Sequence, residues 1–224
     1  MAEKCMQVRY DMKTMKKSIL LASAVFMLLP FFVLRPQKAL AASAPIIYIG
    51  DSRAEGLDMA LTKKQKKRVI FYHATSQGYS WFVDNVAARV TTQLYKYPST
   101  RFRIIINLGI NDHLGAKEHY VKKYNELATK DWAGYDIYIV SITPVDEAKM
   151  AANTRYPQTN TQIEESNNYI KKNLQKNLHY VDLFTPMRNG TKLSAGFETG
   201  YDGAHYTPAS YRKMWKLLMK EISR

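Results

Sequence analysis

From Pro45 onward the chain alternates short apolar runs with longer stretches in which apolar residues return every three or four positions. That alternation is the pattern of a parallel sheet wrapped by helices, an α/β three-layer sandwich. Five runs read as strands: Ile46–Ile49, Arg68–His73, Phe102–Leu108, Ile137–Ser141 and Tyr180–Leu183. Their nearly continuous Ile, Val and Tyr content suits strands covered on both faces. Five amphipathic stretches read as helices: Ala54–Thr62, Trp81–Tyr95, Lys117–Thr129, Gln162–Gln175 and Pro208–Ile222. In the last, Tyr211, Met214, Trp215, Leu218 and Ile222 recur at helical spacing and are expected to face the sheet. Thr207-Pro208 gives that helix an N-cap followed by proline in its first turn.

Two connections are long for this architecture. Thr143–Thr161, rich in Asn, Thr, Pro and Ala, reads as an irregular loop, and a second loop runs from Phe184 to Tyr206. Loops of that length are commonly functional. The first leaves the carboxyl end of the fourth strand. It is therefore expected to select substrate rather than support the reacting groups, with Arg155 and Tyr156 offering a charge and a stacking surface.

Before Pro45 the pattern changes. Lys13, Lys16 and Lys17 precede an apolar run from Ile19 to Leu34, and Ala39-Leu40-Ala41 follows as a small-x-small site. This is the layout of an export signal. The run is slightly short for a membrane span and contains Pro30, which favours cleavage, whereas Arg35 and Lys38 before the alanines favour retention. Residues 1–42 are assigned to a signal peptide or N-terminal membrane anchor, and 43–224 to one domain. Met12 begins a more ordinary leader and is an alternative start. Cys5, the single cysteine, precedes the apolar run and so is not a lipid attachment site. A domain of about 180 residues buries enough apolar surface without disulfides. Cysteine-free export fits a Gram-positive bacterium and a secreted or cell-surface location.

Charge narrows the partners. The formal net charge is +14, and with seven Lys/Arg and two Asp/Glu in residues 1–42 the remainder holds 26 against 17, or +9. A basic exported domain is drawn to anionic wall polymers or lipid headgroups. Membrane attachment is expected only through an uncleaved N-terminal segment. The one dense run, Lys63-Lys64-Gln65-Lys66-Lys67-Arg68, reads as a solvated helix end and turn, so nucleic acid is not an expected partner.

The chemistry lies in four short motifs: Gly50-Asp51-Ser52, Gly78, Gly109-Ile110-Asn111-Asp112 and Asp202-Gly203-Ala204-His205. The first three follow candidate strands and the fourth lies in the loop beyond the last. In open α/β sheets ligands gather at the carboxyl ends of strands. A serine hydroxyl is a poor nucleophile at neutral pH and needs a base. Asp202 and His205 are three apart, so a helical-type turn puts both on one side, the carboxylate holding one ring nitrogen while the other faces Ser52. The other four histidines fit less well: His73 ends a strand, His119 sits in a helix, His179 begins a strand, and His113 has no carboxylate at fixed spacing. Ser52 N–H near a helix N-terminus and the Asn111 side-chain amide can donate to an oxyanion. Gly78 lets backbone approach a ligand closely. Each motif alone has a plain reading, Ser52 as a helix N-cap and Asn111-Asp112 or Asp202-Gly203 as turns. The complete set in order is what points to acyl transfer. Arg53 reads either as a solvated arginine or as a residue with a role in the site. Tyr79 and Trp81 read either as core or as sugar-stacking rings. No His/Cys/Asp/Glu cluster has metal-ligand spacing and no glycine-rich phosphate loop is present, so no metal or cofactor is expected.

This order of motifs resembles the SGNH hydrolases, also called GDSL esterases, over essentially residues 45–224. The resemblance implies a flavodoxin-like fold, five parallel strands between helices. It also implies a nucleophile at Ser52, an Asp202–His205 pair, and an oxyanion hole from Ser52, Gly78 and Asn111. Arg53 departs from the family, which more often has leucine or another aliphatic residue there. A permanent charge beside the nucleophile argues against lipid substrates and for a small acyl pocket. Tyr48-Ile49-Gly50-Asp51-Ser52-Arg53 and Tyr201-Asp202-Gly203-Ala204-His205-Tyr206 resemble exported Gram-positive members. The expected activity is a secreted serine esterase that removes short acyl groups, acetyl foremost, from a carbohydrate or other surface ester. The alternatives are a cell-wall acyltransferase using the same triad and a non-catalytic surface-binding module.

Overall fold

Five strands, β1 (Ile46–Gly50), β2 (Val69–His73), β3 (Arg103–Asn107), β4 (Asp136–Val140) and β5 (Leu178–Val181), form one parallel sheet in the order β2-β1-β3-β4-β5. That is the flavodoxin-like order, with its switch point between β1 and β3. The computed structural model describes residues 44–112 and 115–223. The assigned leader, Cys5 and His113 lie outside them.

The helices are α1 (Ser52–Ala60), α2 (Lys63–Lys66), α3 (Tyr79–Trp81 running through a π-helical turn, Phe82–Ala87, into Ala88–Lys96), α4 (Lys117–Thr129), α5 (Glu147–Asn153), α6 (Asn160–Asn173), α7 (Phe184–Met187) and α8 (Pro208–Glu221). A two-residue hairpin pairs β6 (Arg188–Asn189) with β7 (Lys192–Leu193). Among the described residues no helix is long and apolar enough to cross a membrane.

Strand alternation builds two cores. Ile47, Ile49, Ile104, Ile106, Ile137 and Ile139 point to one face, where α3, α4 and α6 bury Val90, Tyr124, Leu127 and Ile163 against them. Ile46, Tyr48, Ile105, Val140 and Val181 point to the other, where α1 and α8 supply Leu57, Tyr211, Met214, Trp215 and Leu218. The central strands β1 and β3 are buried along their whole length, which explains their unbroken apolar sequence. Thr207 Oγ1 accepts from Ser210 N–H and Pro208 opens α8, as its sequence predicts.

Most element boundaries shift by a residue or two from the sequence reading, and four departures have a clear local cause. α1 begins at Ser52 and not Ala54, because the Asp51 side chain accepts the Arg53 N–H and is itself the N-cap. β5 runs from Leu178 to Val181 rather than from Tyr180 to Leu183. The N–H groups of Leu183 and Phe184 both turn to the Ser141 hydroxyl at 2.9 Å, which takes them out of the sheet. α6 begins at Asn160, where Thr159 and Gln162 form a reciprocal capping box. The expected irregular loop 143–161 contains α5, capped by the Asp146 side chain on Lys149 N–H.

Candidate active site

The Ser52 side of the site starts from Gly50. A Cβ there would lie 2.5 Å from Ala54 Cβ and 3.0 Å from Asn107 O, so only glycine lets β1 turn this tightly into α1. Asp51 caps the helix and Ser52 becomes its first residue, at the carboxyl edge of the sheet beside the switch point.

The His205 side is a self-closing turn. Asp202 Oδ1 accepts the N–H groups of Ala204 at 2.9 Å and His205 at 3.0 Å. Gly200 N–H donates to His205 O at 2.7 Å, and Thr199 bridges Tyr206. Gly203 takes φ +74, and a Cβ there would meet Asp146 O and Met150 N, each at 2.5 Å. The turn delivers His205 Nδ1 to 2.5 Å from Asp202 Oδ2 and His205 Nε2 to 2.7 Å from Ser52 Oγ. This network assigns the ring proton to Nδ1 and leaves Nε2 to accept from the Ser52 hydroxyl. Burial alone would raise the Asp202 carboxyl, but the His205 ring and the two backbone N–H groups outweigh it and hold it below its ordinary value. The carboxylate form of Asp202 is thus favoured beside the His205 ring.

The oxyanion candidates come from three adjacent strands. Ser52 N–H and Gly78 N–H have no acceptor among the described residues. The Asn111 amide donates to Gln77 O at 2.9 Å, joining the loop after β3 to the residue before Gly78. One hydrogen of that amide remains for a ligand. A Cβ on Gly78 would lie 2.3 Å from Asp112 Oδ1. Asp112 accepts from Tyr79 N–H at 3.1 and 3.3 Å and from the Tyr120 hydroxyl at 2.6 Å. Asp112 therefore holds the Gly78 turn in place, a role the sequence reading missed although the residue stands inside the Gly-x-Asn-Asp motif.

The remaining candidates divide. Arg53 is only 3% exposed, so its charge does not line an acyl path. Its Nε donates to Ala204 O at 3.1 Å, and its Nη1 to Thr143 O at 2.8 Å and Thr143 Oγ1 at 2.9 Å. Arg53 therefore does not narrow an acyl pocket, contrary to the expectation from its sequence position. Tyr79 and Trp81 are half-buried and pack on the first core, Tyr79 against His119 and Tyr120. Arg155 and Tyr156 are exposed, the guanidinium 5.4 Å from the ring centroid. The segment that carries them does more than border the site. Asp146 N–H donates to Gly203 O at 2.9 Å, Lys149 Nζ to Thr199 O at 3.1 Å, and Asn153 Nδ2 to Tyr201 O at 2.8 Å. The expectation that 143–161 is separable from the reacting groups is corrected: it supports the Asp202–His205 turn. Among the described residues no group of three or more His, Cys, Asp or Glu is placed to hold a metal.

A serine–histidine–aspartate line at the carboxyl edge of a parallel sheet is an arrangement able to carry out serine-dependent acyl transfer. No protein-family model and no curated protein matches the chain. Solved structures do. A Streptococcus pneumoniae protein provisionally described as a platelet activating factor superposes with a TM-score of 0.59 at 18% identity, over 89% of this chain and 99% of that one. A GDSL-like lipase from Bacteroides thetaiotaomicron gives 0.57 at 18% identity, over 80% and 87%. A member of the lipolytic G-D-S-L family from Veillonella parvula gives 0.53 at 15% identity, over 81% and 100%. The chain has the fold of the SGNH hydrolases.

Proposed function

We propose that this protein is a serine ester hydrolase that removes short acyl groups, acetyl foremost, from a carbohydrate or another surface ester. The observation that carries the proposal is the continuous Ser52–His205–Asp202 hydrogen-bond line, 2.7 and 2.5 Å long, assembled from the two ends of the domain.

The chemistry follows from those atoms. As Ser52 Oγ attacks the ester carbonyl, His205 Nε2 takes its proton and Asp202 stabilises the resulting imidazolium. Negative charge developing on the carbonyl oxygen meets Ser52 N–H, Gly78 N–H and the Asn111 amide. The tetrahedral intermediate collapses, and His205 returns the proton to the departing alcohol oxygen. Water, deprotonated by the same ring, then attacks acyl-Ser52 and releases the carboxylic acid.

The substrate class is read from exposure and charge. The His205 side chain is 47% exposed, which suits an ester presented on a polymer or sugar surface. The leader-like N-terminal sequence and the basic body fit action at an anionic cell wall. The test is a series of p-nitrophenyl esters beside acetylated polysaccharide. kcat/KM should not rise from acetyl to octanoyl, and acetate should be released from the polysaccharide. A rise in kcat/KM with chain length would point to lipid instead.

A further inference from the structure

We propose that Arg53 is a positioning residue that fixes the Ser52 hydroxyl against the His205 imidazole; this rests on the reading of Ser52 as nucleophile. The two side chains are 153 residues apart, and their bond lies at a partly exposed place. Something must hold the start of α1 and the 202–205 turn in one register. Arg53 joins them directly. It follows the nucleophile, and its Nε donates to the carbonyl of Ala204, the residue before the base. The residue after the base, Tyr206, lies with its ring centroid 5.5 Å from the Arg53 Cζ. Nη1 then grips both oxygens of Thr143, and the Tyr206 hydroxyl donates to Pro144 O at 2.5 Å. The same segment continues to Asp146, whose N–H donates to Gly203 O. Nucleophile helix, base turn and the loop after β4 are thus locked through one guanidinium.

Arginine is the residue that can do this. Its planar fork presents Nε and Nη1 in fixed relative directions to acceptors on two different segments, whereas a lysine offers one rotatable point charge. The charge has a second use. Asp51, on the other side of Ser52, is buried, and the Arg53 cation is its nearby compensation. Arg53→Met would remove both features and could unfold the domain. Arg53→Lys keeps the charge and loses the fork, so it isolates positioning.

In Arg53→Lys the thermal midpoint should stay within a few degrees of wild type, because the buried charge is retained. kcat for p-nitrophenyl acetate should fall roughly a hundredfold, the scale of a 1 Å misplacement, with KM within about twofold. The rate at which an organophosphonate labels Ser52 should fall in parallel. A crystal structure of Arg53→Lys should show Ser52 Oγ and His205 Nε2 separated beyond about 3.5 Å, outside hydrogen-bond reach. An unchanged kcat with that bond intact overturns the proposal, and so does a rise in KM alone, which would make Arg53 a substrate-binding residue. The crystallographic distance tests positioning even without activity. Failure of the underlying nucleophile reading shows separately, as ester hydrolysis that survives Ser52→Ala in the wild-type background.

Discussion

Gly203→Ala probes the way the base is held. Gly203 sits between Asp202 and Ala204 at φ +74, and a Cβ built on it lies 2.5 Å from Asp146 O, 2.5 Å from Met150 N and 3.0 Å from Met150 Cα. All three atoms are backbone at the start of α5, so no rotamer change can relieve the overlap. The left-handed conformation costs a residue with a Cβ about 1–2 kcal/mol. Forcing extra volume into a packed site costs about 1–3 kcal/mol more. A central sum of about 3.5 kcal/mol lowers Tm by about 7–14 °C in a domain of this size. The overlap also pushes the turn away from Asp146, whose N–H now donates to Gly203 O at 2.9 Å. The imidazole moves with it, and a shift of about 1 Å costs roughly a hundredfold in kcat. Gly190 supplies the control, since it has φ +60 but nothing within 4 Å of its would-be Cβ. Gly190→Ala should lose only the conformational cost, about 2–8 °C in Tm, with kcat unchanged. Thermal unfolding followed by circular dichroism and p-nitrophenyl acetate kinetics on both variants decide the matter. If Gly203→Ala were no worse than Gly190→Ala in either measurement, the docking of the base turn on α5 would carry no energetic weight.

Three further outcomes follow from the site. Asn111→Ala should lower kcat about a hundredfold or more with little change in KM, because its amide is asked to bind charge present only in the transition state; a pure KM effect would move Asn111 to substrate positioning. Replacing residues 147–157 by a short Gly/Ser linker should abolish hydrolysis of p-nitrophenyl acetate as well as of acetylated polysaccharide, since α5 supports the catalytic turn, and retention of the small-ester rate would restore this segment to a purely specificity role. The Asp202 carboxyl titrates lower in the folded protein than its ordinary value, so its contribution to stability is complete above that value and is lost as pH falls through the folded one. Urea unfolding should accordingly show wild type more stable than Asp202→Asn near neutrality, with the difference shrinking below about pH 4; a difference that grew on acidification would contradict the direction assigned to Asp202.

What could be read from the sequence was what depends on neighbours in the chain. β1 and β3 announce themselves because burial on both faces demands unbroken apolar residues. Asp202 and His205 find each other through a three-residue turn, and Ser52 is placed by the strand that ends two residues before it. What was missed depends on distant partners. The sequence left Arg53 open between a solvated first-turn arginine and a role in the site, and only Ala204 and Thr143, arriving from 151 and 90 residues away, show that it is a buried tie. The end of β5 is decided by Ser141, some forty residues earlier in the chain. α5 was the more avoidable omission. Asp146 is a good N-cap, and Glu147-Ala148-Lys149-Met150-Ala151-Ala152 are good helix formers. The surrounding Asn, Thr and Pro masked them, and a helix this short depends on its docking against Gly203 and Tyr201 for stability.

The central claim is that Ser52 forms a covalent acyl-enzyme with His205 as its base. The most direct measurement is mass spectrometry of residues 43–224 after reaction with a serine-reactive organophosphonate, with p-nitrophenyl acetate turnover followed alongside. One adduct per molecule should map to Ser52, turnover should stop in proportion to labelling, and Ser52→Ala should neither label nor turn over. Labelling elsewhere, or near-native turnover by Ser52→Ala, would contradict the account.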